Sequence, residues 1–113
     1  MVQNKKRLVE LLIGNISNAI VHSILEKAIV DSEVKSRYKK EMENSIEIAK
    51  KYRLKINPAN TTLPEVHAEE IKEKLLKRVK SKLNERISKG YKNINLDRIE
   101  EEADAKLKEL KVR

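Results

Sequence analysis

Apolar residues recur at every fourth position from Leu8 to Val30, and they do so in two neighbouring rows. Rows with this spacing lie side by side on an α-helix, so the segment predicts one long helix over about residues 4–30 with a broad apolar ridge. A four-residue step turns the ridge by about 40° around the helix, so its halves Leu8–Ile16 and Val21–Ile29 face different neighbours. The rows contain Leu8, Leu12, Ile16, Ile20, Ile24 and Ala28, and Val9, Ile13, Val21, Leu25 and Ile29.

A second amphipathic pattern predicts a helix over about residues 32–53, with an apolar stripe only one side chain wide. Asp31 suits the N-cap position, and Glu33 suits the positive end of the helix. One continuous helix through this region is the alternative. The apolar pattern jumps in phase between Ile29 and Val34, which favours a tight turn and an antiparallel hairpin. The stripe consists of Val34, Tyr38, Met42, Ile46, Ala49 and Tyr52.

Residues 54–64 form the predicted loop, because Asn57-Pro58 disfavours helical geometry at Asn57. A third helix is predicted over about residues 64–89, with Thr61 or Thr62 as its cap. Thr62 and Glu65 have the spacing of a capping box. The stripe of this helix contains Ile71, Leu75, Val79, Leu83 and Ile87, with Leu76 beside it.

Gly90 stands where a left-handed residue commonly ends a helix, so it predicts the end of the third helix. A fourth helix is predicted from Asp97, with Glu100 in the capping-box position. Its apolar residues are Ile99, Ala103, Leu107 and Leu110.

These elements predict one all-α domain over residues 1–113, a four-helix bundle-like fold. Two long antiparallel hairpins, 1–53 and 65–113, are joined by the 54–64 loop, and helix 1 is central. The composition agrees, since two Gly, two Pro and 39% charged residues are typical of a helical chain. No Trp or Phe occurs, so aliphatic side chains supply the core.

The chain has no cysteine, which excludes disulfides, thiolate metal sites and cysteine nucleophiles. Basic residues before an apolar run resemble a signal peptide at the N-terminus. However, polar residues such as Glu10, Asn15 and His22 interrupt that run, which argues against a signal peptide and a transmembrane helix. We therefore expect a cytoplasmic protein with no membrane partner.

Two acidic motifs, Glu69-Glu70-Ile-Lys-Glu73 and Glu101-Glu-Ala-Asp104, resemble the EExxE and ExxD pair of MazG-type all-α nucleotide pyrophosphatases. That resemblance implies carboxylates that hold magnesium against nucleotide phosphates. The alternative is a solvated helix surface, which the helical phase of Glu101 and Asp104 favours because both project away from the apolar stripe.

Neither histidine, His22 or His67, has companions at metal-ligand spacing. No catalytic residue, metal site, cofactor or small-molecule substrate is predicted from the sequence, and we do not expect an enzyme.

The net charge of +8 indicates that polyanions are possible partners. Basic residues are dense on helix 3, where they are suited to contacting a nucleic-acid backbone. The alternative is an ion-paired surface typical of heat-stable proteins, because Glu70–Lys74, Glu73–Lys77 and Glu85–Lys89 are spaced as i, i+4 pairs. The candidate nucleic-acid-binding residues are Lys74, Lys77, Arg78, Lys82, Arg86 and Lys89.

The helix 1 ridge is broader than three narrow stripes can cover, and an uncovered apolar face is typical of an interface. We therefore expect a homodimer, and the leading hypothesis is a non-enzymatic interaction module; coverage by helices 3 and 4 is the alternative. The candidate interface residues are Leu8, Leu12, Ile16, Ile20, Val21, Ile24, Leu25 and Ile29.

Overall fold

The protein is described by a computed structural model covering residues 5–29, 31–57 and 62–112. The predicted all-α fold is confirmed: four helices form a bundle-like domain, and the described residues contain no strand. The predicted positions Asn4, Val30, Pro58 and Thr61 lie outside the described residues. The helices are α1 (Lys5–Ala28), α2 (Ser32–Ile56), α3 (Glu65–Ser88) and α4 (Arg98–Glu109).

Helix α1 is central, as predicted, because it packs against all three other helices. Helix α2 runs antiparallel to it, which places Glu41 beside His22. Helix α3 runs in the same direction as α1, since His67 lines a pocket with Lys5 near the start of α1. Helix α4 returns antiparallel to α3. The peptide N–H of Leu63, before α3, donates to the carbonyl of Val112, beyond α4, over 3.3 Å.

The winding ridge of α1 is buried inside this one chain. Seven of the eight candidate interface residues belong to the core, and the eighth, Ile29, is half-buried. Their partners come from α3 and α4 as well as α2, because α1 packs against all three helices. The candidate interface residues of helix 1 are therefore covered largely within one chain, among the described residues. The homodimer stays a prediction.

Helix α1 is also long and apolar enough, by length and composition alone, to cross a membrane. In this structure 61% of its most hydrophobic 18-residue window is buried. Core helices of soluble proteins share this property, so it carries little weight for a membrane role.

Two predicted helix ends are confirmed. The Asp31 carboxylate accepts hydrogen bonds from the peptide N–H groups of Glu33 (2.9 Å) and Val34 (3.1 Å). Gly90 has φ of +100°, and the N–H of Tyr91 donates to the carbonyl of Arg86, which closes α3 with a Schellman-type turn.

Three other predictions about helix ends were wrong. Helix α2 extends three residues beyond Arg53 before Asn57 ends it, and α3 begins after Pro64 without a side-chain cap. Asp97 does not cap α4, because its own backbone is helical. Instead the Asn95 side chain accepts from the Asp97 N–H over 3.0 Å, so the turn starts earlier than the capping box suggested.

Candidate nucleic-acid interface

A shallow furrow runs between α1 and α3, and a row of cations on α3 forms one of its walls. The wall residues are four apart, so they project from one edge of the helix. The facing row on α1 is also spaced by four residues. We refer to the two rows together as the basic furrow. The α3 row is Lys74, Arg78, Lys82 and Arg86, and the α1 row is Glu10, Gly14, Asn18 and His22.

Side-chain contacts hold the two rows in register. The Lys82 ammonium donates to the Asn18 side-chain carbonyl over 2.6 Å, and His22 and Arg86 line one pocket. One turn before Asn18, a Cβ atom placed on Gly14 would lie 3.2 Å from Nη1 of Arg78. A glycine in mid-helix costs about 1 kcal/mol relative to alanine. Here it leaves room for the Arg78 guanidinium against the α1 surface.

The cations of the furrow are held among like charges. Partial burial lowers the pKa of Lys82, and the neighbouring Arg78 and Arg86 lower it further. Like charges at i, i+4 spacing destabilise a helix by roughly 0.2–0.5 kcal/mol per pair. The α3 row contains three such pairs in succession, so it is unfavourable for the helix itself.

No carboxylate of the described chain lies within ion-pair distance of any cation in the α3 row. The predicted pairs Glu70–Lys74 and Glu73–Lys77 do not form; of the three expected on this helix, only Glu85–Lys89 does, at 3.3 Å. Two of the three pairs expected to neutralise part of the charge on α3 are therefore absent among the described residues, and one is present.

All six predicted nucleic-acid-binding residues line the furrow. Lys77 lies at its outer edge and is exposed, and Lys89 lies at its far end, paired with Glu85. Along its middle and far parts six cations face two carboxylates, Glu10 and Glu85, a local excess of four positive charges. Half of the net charge of +8 is thus concentrated on one face.

Aromatic side chains gather at the far end, which sequence analysis did not anticipate. The His22 ring stacks on Tyr38 of α2 with centroids 5.6 Å apart, and its Nε2 lies 3.2 Å from a Glu41 carboxylate oxygen. Burial and the neighbouring Tyr91, in the α3–α4 linker, raise the pKa of Tyr38. Arg86 donates to the Tyr91 hydroxyl over 3.2 Å. These residues are far apart in sequence, and only the i, i+4 spacing of the cations was visible beforehand.

The acidic motifs that resemble MazG-type pyrophosphatases are not assembled into a metal site. Within the described residues no three carboxylate or histidine side chains are placed to hold a metal ion. Instead the Lys72 ammonium lies 3.0 Å from Asp104 and 3.5 Å from Glu100, so a lysine occupies the space between α3 and α4.

Comparison with protein families, with characterised proteins and with solved structures finds no match to this chain.

Proposed function

We propose that this protein is a non-enzymatic binding module that holds the phosphate backbone of a nucleic acid in the basic furrow. The observation that carries the proposal is the α3 row, in which four successive i, i+4 cations face α1 without a carboxylate partner among the described residues. Such a row is costly for an isolated helix. A bound polyanion removes that cost, because its phosphates take the place of the missing counter-charges.

The dimensions of the furrow suit a nucleic-acid backbone. The row from Lys74 to Arg86 spans about 18 Å at 1.5 Å per residue, with steps of about 6 Å. One strand of duplex DNA carries a phosphate for about every 3.4 Å of axis, so the row covers about five phosphates. A furrow of this length binds a short tract of backbone.

The chemistry of the furrow favours binding with little sequence preference. Its functional groups are ammonium and guanidinium donors, which contact phosphates and position a protein on its ligand. Besides Glu10 and His22 at its two ends, the α1 wall contributes Gly14, which has no side chain, and Asn18, whose carbonyl is already occupied by Lys82. We therefore expect similar affinities for strands of different sequence.

The salt dependence of binding tests this proposal. With about four phosphate contacts, the slope of log affinity against log salt is about −3 for a single strand. Replacing three furrow cations in the variant K74Q/R78Q/K82Q should flatten that slope by about 2 and weaken binding. Fluorescence anisotropy with a labelled oligonucleotide at 50–200 mM salt measures both quantities.

The matched control removes the same number of charges from the exposed face of α2. Lys35, Lys39 and Lys51 are exposed there, and glutamine at all three lowers the net charge equally. The slope of this K35Q/K39Q/K51Q variant should stay at the wild-type value. Equal losses in both variants would mean that the whole surface, rather than the furrow, attracts the ligand. No binding at 50 mM salt would reject the proposal outright.

A further inference from the structure

The far end of the basic furrow contains a pocket of about 280 Å³ with a distinct set of polar groups. Three cations, Lys82, Arg86 and Lys89, line it against a single carboxylate, Glu85. Glu85 already pairs with Lys89, which leaves Lys82 and Arg86 without an anionic partner among the described residues. A pocket of this charge is complementary to a compact anion.

Uncharged donors and an imidazole complete the pocket. Asn18 and His22 line it from α1. Atom Nδ1 of His22 is buried and has no hydrogen-bond partner in the described part of the chain. Burial, Arg86 and Lys82 lower the pKa of His22, and Glu41 opposes them. A bound dianion would raise that pKa, because it would offset the two cations that now disfavour the imidazolium.

Two aromatic side chains lie at the end of the furrow, immediately beyond this pocket. Tyr38 stacks on His22, the last residue of the α1 row, and Tyr91 accepts from Arg86, the last residue of the α3 row. Tyr38 on α2 and Tyr91 in the α3–α4 linker therefore flank the end of the furrow. A strand that follows the furrow reaches these two side chains at the point where the pocket opens.

We infer that this end pocket binds a phosphate monoester, with Lys82 and Arg86 as the charged donors and His22 as a neighbour that responds to its charge. A monoester carries between 1.5 and 2 negative charges at neutral pH, more than the single charge of an internal diester. The inference rests on the proposed function for strand binding. It adds that a strand end bearing a phosphate is preferred over one ending in a hydroxyl.

The test compares short single strands of one sequence that end in a 5′-phosphate, a 3′-phosphate or hydroxyls only. The wild-type protein should bind one phosphorylated form about tenfold more tightly than the hydroxyl form. Arg86→Gln should abolish that ratio. Arg78→Gln, outside the pocket, should weaken all three strands and leave the ratio unchanged. Lys89→Gln, at an exposed position, should lower the ratio without affecting the fold.

Two competitors distinguish the sources of the phosphate. If a nucleoside monophosphate or inorganic phosphate displaces the phosphorylated strand and shifts the NMR signals of His22, the pocket binds the phosphate group by itself. If neither competes, the neighbouring strand is needed, and the inference stands for strand ends alone. Equal affinity of the wild-type protein for all three strands overturns the inference while the proposed function survives. Failure to bind any strand overturns both.

Discussion

His22 lies where three elements of the molecule meet, and its ionisation affects all of them. It stacks on Tyr38 and contacts Glu41 on α2, while Lys82 and Arg86 approach from α3. Burial is the largest influence and lowers its pKa; Glu41 raises it, and the two cations lower it further. The folded protein therefore favours the neutral imidazole.

This lowered pKa makes stability depend on pH in a defined direction. Below about pH 6.5 the unfolded chain binds a proton at His22 more readily than the folded chain does, so the free energy of unfolding falls as the pH falls. We expect His22→Gln to reduce the stability loss between pH 7 and pH 5.5. Urea unfolding at both pH values measures this loss of unfolding free energy. His67→Gln, at an exposed position, is the control. Identical losses in wild type and His22→Gln would contradict this assignment.

At the scale of the elements, Arg53 ties the end of α2 to the chain segment after α4. The residue is only 2% exposed, and its Nε and Nη2 atoms donate to the Lys111 carbonyl over 3.2 and 2.7 Å. Lys111 adopts a left-handed conformation with φ of +56°, which forms the turn that ends α4. Helix α2 packs directly only on α1 among the described helices, so these bonds connect it to a part of the bundle that it does not otherwise pack against.

Replacing Arg53 should therefore destabilise the fold. Arg53→Met keeps the apolar part of the side chain and removes both donors, which leaves the Lys111 carbonyl without them. A hydrogen bond involving a charged group contributes about 1.5–3 kcal/mol, so we expect a loss of about 2 kcal/mol in urea unfolding. Arg53→Lys should recover only part of it, because an ammonium cannot reproduce the two-pronged geometry. Lys51→Met, on the exposed face, is the control; equal effects of Arg53→Met and Lys51→Met would contradict the role of Arg53.

The helices themselves were largely predictable because three signals agree: the spacing of apolar residues, the capping residues and the helix-breaking residues. The four-residue rows gave α1, and Asp31 and Gly90 marked two helix ends through interactions within a few residues of each. The start of α4 after Asp97 was predicted correctly, but its cap was not, because the Asn95 side chain bonds the Asp97 N–H and Asp97 makes no capping bond of its own. The neighbouring sequence predicts a helix cap only when a single nearby residue suits the capping position.

The helices that pack over α1 were less predictable, since their packing depends on contacts between segments that are distant in sequence. The sequence showed two apolar halves of α1, and residues of both halves are buried in the fold. It could not show that α3 and α4 complete the burial of residues such as Val21 and Leu25 within one chain. The furrow was missed for the same reason: each cation was visible, but the facing row on α1 was not.

At the scale of the whole molecule, charge is separated between the two sides of α3. On the side facing α4, Lys72 pairs with Glu100 and Asp104, and the acidic residues there are partly neutralised. On the side facing α1, Lys74 and Arg78 have no carboxylate partner within the described residues. This asymmetry gives one face a positive field, which attracts a polyanion before contact is made.

Mapping the bound ligand by NMR tests the central claim most directly. A short single-stranded oligonucleotide titrated into ¹⁵N-labelled protein at low salt should shift the amide signals of two segments, residues 10–22 on α1 and residues 74–91 on α3 and its exit. Signals from the exposed face of α2 and from α4 should remain unchanged. Shifts spread evenly over the surface, or concentrated on α2 or α4, would contradict binding in the basic furrow.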